Sequence, residues 1–330
     1  MANVPPPSTG WQEQVDPAEA QRFAGYAEVF TRIQAQRSQR WGVGRGLHRK
    51  QLVAAQGTLQ VLDGLPDFAR HGLFARPGTY AAQVRLSNGG LDRASDKTPD
   101  IRGFAIRIEG VQGASALGGA ASSQHFTLIN QEAFAFARSE EFVAFVEAVA
   151  RGNAALFAHI VRRYGWLGVP RQLAALARTM GRPFTGFATE QLYSALPMAN
   201  GPYAVRVRLV PDAANGEPDR SARQDWGADF RRRLQRGPLG WDLQLQYFAS
   251  ETLTPIEDAS VPWPTPYSTV ARLVLPQQDL SSAEAQALAQ QLEAGRIDPW
   301  QGLAEHRPLG EVQRARRAVY LASQQARGAA

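Results

Sequence analysis

The sequence predicts an α+β fold: an antiparallel β-barrel of about eight strands, with a helical insert and C-terminal helices. Seven segments alternate apolar and polar residues, or end in Gly, Pro, Asn or Asp, as strands do. Their connections are of hairpin length or longer, which favours an antiparallel barrel. Helical patterns precede, interrupt and follow the strands. The predicted strands are 51–62, 79–87, 102–109, 124–130, 203–210, 241–249 and 268–275.

The helices are predicted from their caps and their periodicity. Asp16-Pro17, followed by Glu19, predicts a first helix that runs to about Arg37. The helical insert opens at Ser139, and a stripe at helical spacing is predicted to face inward: Phe142, Phe145, Val146 and Val149. Further helices are predicted at 153–163, 170–180 and 229–235, from a Ser281 cap to Ala294, and from Gly310 to Arg327.

The composition is that of an ordinary globular protein, with 330 residues of which 44% are hydrophobic and 20% charged. We divide the chain into an N-terminal arm and helix (1–40) and a single barrel domain with C-terminal helices (41–330). Cysteine is absent, which excludes disulfides, thiolate catalysis and cysteine-ligated metals. No apolar run suits a signal peptide or a membrane span, so we expect a cytoplasmic protein.

The net charge of +6 raises the question of an anionic partner. The densest basic cluster, Arg231 to Arg233 with Arg236, is short, and the other arginines are scattered. We therefore expect no nucleic-acid binding. An arginine inside an apolar strand is more informative, because a buried guanidinium needs an anion nearby. Arg85 is such a residue. The alternation of its strand places it on the same face as Ser87.

The C-terminal helix carries a second notable pair. Arg316 and Tyr320 are four residues apart and share one helix face, which Ser323 and Arg327 continue. A neighbouring positive charge favours the phenolate form of tyrosine, and a bound cation favours it further. A tyrosinate is a hard anionic ligand that suits ferric iron. The alternative is an amphipathic surface helix whose Arg and Tyr only cover the core.

Several short motifs, in their order and spacing, resemble those of the haem catalase family. Arg45-Gly46-Leu47-His48 matches its distal Arg-x-x-His, Arg85-Leu86-Ser87 its Arg-Phe-Ser strand, and Arg316 to Tyr320 its proximal Arg-x-x-x-Tyr. Asp100 to Ala105 resembles a further strand motif of the family. The closing segment 299–310 looks most like the small catalase-related peroxidases, the minimal branch of the family.

This resemblance implies a haem b cofactor with ferric iron, Tyr320 as the metal ligand and Arg316 as its charge partner. It implies that His48 is the distal acid and base, with Ser87 and Asn130 assisting it. The remaining implied haem contacts are Arg45, Arg85 and Arg327 on the propionates and Phe142 on the porphyrin. The implied reaction is peroxidase or catalase chemistry on hydrogen peroxide or organic hydroperoxides, through a ferryl intermediate, with a small reductant as partner. We also expect a homodimer.

The sequence also departs from the family pattern. Arg49-Lys50-Gln51 follows the distal histidine where Ala-Lys-Gly is usual, Gln131 follows Asn130, and Gln324 stands where a histidine follows the proximal tyrosine. Other substrates are therefore open. One alternative is an enzyme that converts fatty-acid hydroperoxides, similar to allene oxide synthase, although Leu47 replaces the threonine typical of that branch. A second alternative is a non-enzymatic haem-binding protein.

Overall fold

The structure is a computed structural model that describes residues 5–180 and 183–329. Its centre is an antiparallel barrel of eight strands, which closes through pairing of β5 with β7; the short β6 extends the edge of β7. The ring order is β1, β2, β3, β4, β5, β7, β8, β9 and back to β1. The strands are β1 (Lys50–Val61), β2 (Gly78–Asn88), β3 (Arg102–Ala114), β4 (Ala120–Ile129), β5 (Leu192–Tyr193), β6 (Met198–Asn200), β7 (Tyr203–Pro211), β8 (Leu239–Tyr247) and β9 (Tyr267–Leu275).

The barrel interior is filled by the apolar residues that alternate along each strand. One row across the sheet consists of Ala55, Val84, Ile106 and Phe126, each opposite the next, and all four are buried. Burial of each large apolar side chain contributes on the order of 1.5–3 kcal/mol, so this core is the main source of stability. Two-residue periodicity then places the intervening residues of the same strands on the outer face.

The outer face of β1 to β4 carries polar side chains, among them Arg85, Ser87 and Thr127. Arg85 lies between Ala54 and Ala105, and Thr127 completes that row. The next row contains Gln51, Ser87, Gly103 and Ile129. Helices cover this face, so its polar groups are enclosed between a sheet and helices. The helices are α1 (Glu19–Trp41), α2 (Ser139–Arg151), α3 (Asn153–Met180), α4 (Trp226–Arg236), α5 (Ala283–Ala294) and α6 (Glu311–Ala326).

The first and last helices pack against each other. The Ser323 hydroxyl on α6 donates to Gln34 Oε1 on α1 over 2.5 Å. At the other end of α6, Arg314 forms ion pairs with Glu13, Glu19 and Glu257 at 2.8, 2.7 and 3.0 Å. The N-terminal arm therefore fixes the start of the helix that carries Tyr320.

Most predicted elements are confirmed, with a few corrections. The two- and three-residue strands β5 and β6 were not predicted, because such short strands carry no visible alternation. The cap of α5 is Ser282 rather than Ser281, since the Ser282 hydroxyl accepts from the Ala285 N–H. Val149 was predicted to face inward but is exposed. The division at residue 40 stays a prediction. No helix in the described ranges is both long and apolar enough to cross a bilayer.

Candidate functional site

His48 lies against the outer face of the barrel, in the loop that leads into β1. Its Nδ1 is 3.0 Å from the Ser87 hydroxyl, and its backbone N–H donates to the Gly89 carbonyl. The ring rests on the backbone of β3 at Gly103, where an added Cβ would lie 2.5 Å from Nδ1 and 2.8 Å from Ser87 Oγ. Glycine at position 103 is therefore what allows the imidazole to reach Ser87.

The backbone of His48 is held in an uncommon conformation. Its φ angle of +50° lies in the left-handed region, which costs a residue with a side chain on the order of 1–3 kcal/mol. Such strain persists where surrounding contacts hold it, and here the Ser87 and Gly89 bonds do so. This fixed geometry is what a positioned acid or base requires.

The electrostatic surroundings keep His48 neutral. Burial, followed by the positive charges of Arg85, Arg316 and Arg45, lowers its pKa to about 3. Two other buried histidines behave similarly: the pKa of His125 is lowered to about 3 and that of His306 to about 4, chiefly by burial. His306 is a satisfied core residue, because its Nε2 accepts from the Leu73 N–H over 2.9 Å.

These depressed pKa values predict a loss of stability in mild acid. In the unfolded chain these histidines titrate near pH 6.5, so between pH 6.5 and about 4 the unfolded state binds more protons than the folded state. The stability is therefore fully present above pH 6.5 and falls as the pH decreases, by roughly 1 kcal/mol per pH unit for each histidine.

Urea unfolding of the apoprotein at pH 7.5, 6.0 and 5.0 measures this dependence. The His125→Gln variant lacks one of the three buried histidines, so its unfolding free energy should depend less steeply on pH. An unfolding free energy that is constant from pH 7.5 to 5.0 would contradict the prediction.

Tyr320 and Arg316 meet on α6 as their spacing predicts. Arg316 Nη2 donates to the Tyr320 hydroxyl over 3.0 Å and to Thr127 Oγ1 on β4 over 3.1 Å. Its Nη1 donates to Gln313 Oε1, also at 3.0 Å. These three hydrogen-bond partners are all uncharged, so a phenolate at Tyr320 would supply this guanidinium with an anion.

His48, Arg45, Arg316 and Tyr320 belong to one electrostatic neighbourhood. The charge of Arg316 contributes to the lowered pKa of His48, after burial and Arg85. Burial and the charge of Arg85 hold the pKa of Arg45 well below its ordinary value, and Tyr320 is among the groups that oppose this effect. The fold therefore brings together residues that lie more than 250 positions apart in the chain.

Three arginines gather at the C-terminal end of α5. Arg45 donates to the carbonyls of Leu292 and Gly295 and to Glu293 Oε2. Arg85 pairs with the same carboxylate at 2.8 Å, and Arg327 donates to the Ala294 carbonyl at 2.6 Å. Burial alone would raise the pKa of Glu293, but the charges of Arg85 and Arg45 hold it below its ordinary value.

This cluster has more positive charge than Glu293 neutralises. Arg45 and Arg85 pair with this carboxylate, and Arg327 donates to the Glu293 and Ala294 carbonyls. Burial lowers the pKa of Arg327, like that of Arg45. Two buried atoms, Glu293 Oε1 and Arg327 Nε, have no hydrogen-bond partner. A cleft of 390 Å³ between β1 and α5 reaches Glu293 and is also lined by Arg93. The residues present therefore fit a group that brings two carboxylates, as a haem does, although such a group must share the arginines with α5.

Phe142 contributes to an aromatic cluster beside the site. Its ring centroid lies 6.2 Å from that of Phe30, 5.0 Å from Phe134 and 5.7 Å from Phe136. The same apolar cluster includes Leu47 and Val319, the neighbours of His48 and Tyr320 in sequence. A flat apolar group could pack here, and the predicted porphyrin contact of Phe142 stays a prediction.

Asn130 follows the last residue of β4, and its side chain bonds to the start of β3. Strand β4 ends at Ile129, which lies opposite Gly103 on the outer face. Asn130 Oδ1 accepts from the Arg102 N–H over 2.8 Å, which ties the ends of β3 and β4 together. The distal role of Asn130 stays a prediction.

Several supporting residues were not predicted from the sequence. Thr127 and Gln313 orient Arg316, and Glu293 pairs with two of the arginines. Gln324, at the position of the usual histidine, donates to Asp298 Oδ2 over 2.5 Å and so links α6 to the preceding loop. Thr127 lies opposite Ala105 of β3 on the outer face of the sheet. The two-residue alternation of β4 would have been enough to place Thr127 on that face.

The closed antiparallel barrel with its surrounding helices is a catalase-like fold. No protein-family model matches the sequence, and no curated protein matches it. Among solved structures, the chain is similar to a fungal catalase (TM-score 0.64, 18% identity), with 86% of this chain and 59% of that one covered. It is also similar to a bacterial catalase (TM-score 0.63, 15% identity; 99% and 63% covered). A third match is catalase A from Saccharomyces cerevisiae (TM-score 0.63, 16% identity; 87% and 61% covered).

The predicted resemblance to catalases is thus confirmed for the fold. At these identities the similarity shows the fold alone. The chain spans about six-tenths of the length of the catalases that it matches.

Proposed function

We propose that this protein is a haem-dependent oxidoreductase that acts as a peroxidase on hydroperoxides. The observation that carries the proposal is the Arg316–Tyr320 hydrogen bond at 3.0 Å. In the same site the charge of Arg316 lowers the pKa of His48, whose Nδ1 is hydrogen-bonded to Ser87. The catalase fold supports the same reaction class.

The chain's own residues would hold the cofactor from two sides. Tyr320 would be the axial ligand, with Arg316 stabilising its negative charge by a hydrogen bond. Arg45, Arg85 and Arg327 would pair with the propionates, relieving the crowding of like charges around Glu293. When bound, haem would supply the redox centre that gives up two electrons as the peroxide O–O bond is cleaved.

His48 would move a proton between the two peroxide oxygens. If Nδ1–H donates to Ser87 Oγ, then Nε2 has its lone pair free and can accept a proton from a hydroperoxide. The proton then passes to the oxygen that leaves as water or an alcohol, so the imidazole returns to its neutral form. The arginine charges that lower the pKa of His48 make it return this proton readily, and propionates beside Arg45 and Arg85 would weaken that effect.

An organic hydroperoxide suits this site better than hydrogen peroxide. Ile129 lies opposite Gly103 on the outer face, and Leu47 joins the aromatic cluster of Phe142. These side chains offer apolar contact. The same observation favours a second candidate, a rearrangement of organic hydroperoxides that consumes no reductant.

The test is a titration of the purified chain with hemin, followed by peroxides. Peroxidase function predicts saturable hemin binding at one site per chain and turnover of cumene hydroperoxide in which two reducing equivalents are consumed for each alcohol formed. Hydroperoxide loss without reductant would favour rearrangement. Hemin binding with no hydroperoxide loss would favour a haem carrier, and absence of hemin binding would overturn the proposal.

The contact between Gly103 and His48 gives a sharp prediction. In Gly103→Ala the new Cβ would occupy the place of the imidazole, so His48 must move away from Ser87. We expect turnover of the hemin-loaded variant to fall by about a hundredfold, because a displacement of about 1 Å has an effect of that size. Hemin affinity should change little. Gly237→Ala is the control, since its Cβ would meet no atom within 4 Å. Wild-type turnover in Gly103→Ala would show that His48 does not act from this position.

A further inference from the structure

Helix α3 presents apolar side chains to solvent. Trp166 is 72% exposed and Leu167 is 99% exposed, and Phe157, Tyr164 and Leu173 are also exposed. Five of the eleven exposed large hydrophobic residues among those described lie in this one helix, so the exposure is concentrated rather than scattered. A contiguous exposed apolar surface usually marks an interaction site.

The helix is bent so that these residues form a tip. Gly165 has a φ angle of +67° and interrupts the helical backbone. Beyond the bend, the Trp166 ring returns to within 6.0 Å of the Phe157 ring, centroid to centroid. Leu167 follows Trp166 directly and is almost fully exposed. The apolar residues on both sides of Gly165 therefore form one patch, the α3 tip (Phe157, Tyr164, Trp166, Leu167).

The charged residues of α3 itself near the tip have a single sign. Residues 153–174 contain Arg162, Arg163 and Arg171 but no Asp or Glu. Arg163 pairs with Glu141 of α2, while Arg162 and Arg171 are exposed close to the tip in sequence. Basic residues that flank exposed Trp, Phe and Leu on a helix are the composition of segments that bind at the interface of anionic membranes.

We propose that the α3 tip docks on an anionic phospholipid surface. Trp166 and Leu167 enter the boundary between headgroups and acyl chains, where the indole N–H stays near polar groups. Arg162 and Arg171 contact lipid phosphates, and these contacts account for the requirement for anionic lipid. This inference is independent of the proposed peroxidase function, because none of its residues belongs to the site of His48 and Tyr320.

Charge favours a lipid surface over a second copy of the chain. A two-fold pairing of α3 tips would place Arg162 and Arg171 near their own counterparts, and like charges at an apolar contact repel strongly. A phospholipid surface instead supplies negative charge and apolar volume together. The high exposure of Trp166 and Leu167, 72% and 99%, also suits insertion into a layer.

The experiment is flotation of the full chain with vesicles of phosphatidylcholine alone or mixed with phosphatidylglycerol. We expect binding to the mixed vesicles that weakens as salt is raised. The tip variant W166S/L167S should bind about tenfold more weakly, and R162Q/R171Q should lose about tenfold and most of the salt dependence. The control is Leu321→Ser, which removes an exposed leucine of α6. Circular dichroism checks that each variant is folded.

Three results would overturn the proposal. One is absence of binding to mixed vesicles by the unmodified chain, and another is equal binding by W166S/L167S. The third is a dimer in light scattering that the tip substitutions convert to a monomer without any change in vesicle binding.

Discussion

Removing the imidazole of His48 should abolish most peroxide turnover while leaving hemin binding intact. A positioned general acid and base contributes about 10²–10⁴-fold to a rate, so we expect a loss of about a thousandfold in turnover of cumene hydroperoxide by His48→Ala. The haem contacts proposed for Tyr320 and the arginines lie elsewhere, so the hemin dissociation constant should stay within about threefold of the wild-type value.

The left-handed backbone at position 48 calls for a matched variant. Alanine at a φ of +50° carries strain of its own, whereas glycine adopts this conformation without cost. His48→Gly should therefore lose the same activity with less loss of stability, and added imidazole should restore part of its turnover. His125→Gln removes a different buried imidazole, one hydrogen-bonded to Ser123, and should keep nearly full turnover. Full activity in both His48 variants would refute the proposed proton transfer.

The long strands of the barrel could be predicted because the alternation of apolar and polar residues is visible within each segment. Each long strand alternates visibly, so Arg85 and Ser87 could be assigned to one face and α6 could be assigned the pair Arg316 and Tyr320. Strand β5 could not be found, because two residues contain no period. Its pairing with both β4 and β7, which closes the ring, depends on tertiary contacts.

The site could be predicted only in part, because some of its contacts join residues that are far apart in the chain. Glu293 lies 208 positions from Arg85, and nothing in its own helix marks it as the partner of a strand arginine. Gly103 belongs to the Asp100 to Ala105 motif, but its role depends on contact with the His48 ring. The sequence does not show that contact.

Replacing Tyr320 with phenylalanine should have the opposite effect to the His48 variants, with loss of hemin binding. The substitution removes one oxygen atom, which accepts a hydrogen bond from Arg316 over 3.0 Å. In the apoprotein the cost should be small, about 1 kcal/mol in the free energy of unfolding, because one part-buried hydrogen bond is lost and Arg316 keeps Thr127 and Gln313.

The cost to cofactor binding should be much larger if the same oxygen is the iron ligand. We expect the hemin dissociation constant of Tyr320→Phe to rise by at least about a hundredfold, equal to about 2.7 kcal/mol, and the tyrosinate charge-transfer bands to disappear. Tyr203→Phe, at a part-buried tyrosine on β7, should change neither quantity. A large effect on hemin with a small effect on folding separates a ligand from a structural hydroxyl. If Tyr320→Phe binds hemin with wild-type affinity and spectrum, then the iron is held by another side chain and the proximal assignment is wrong.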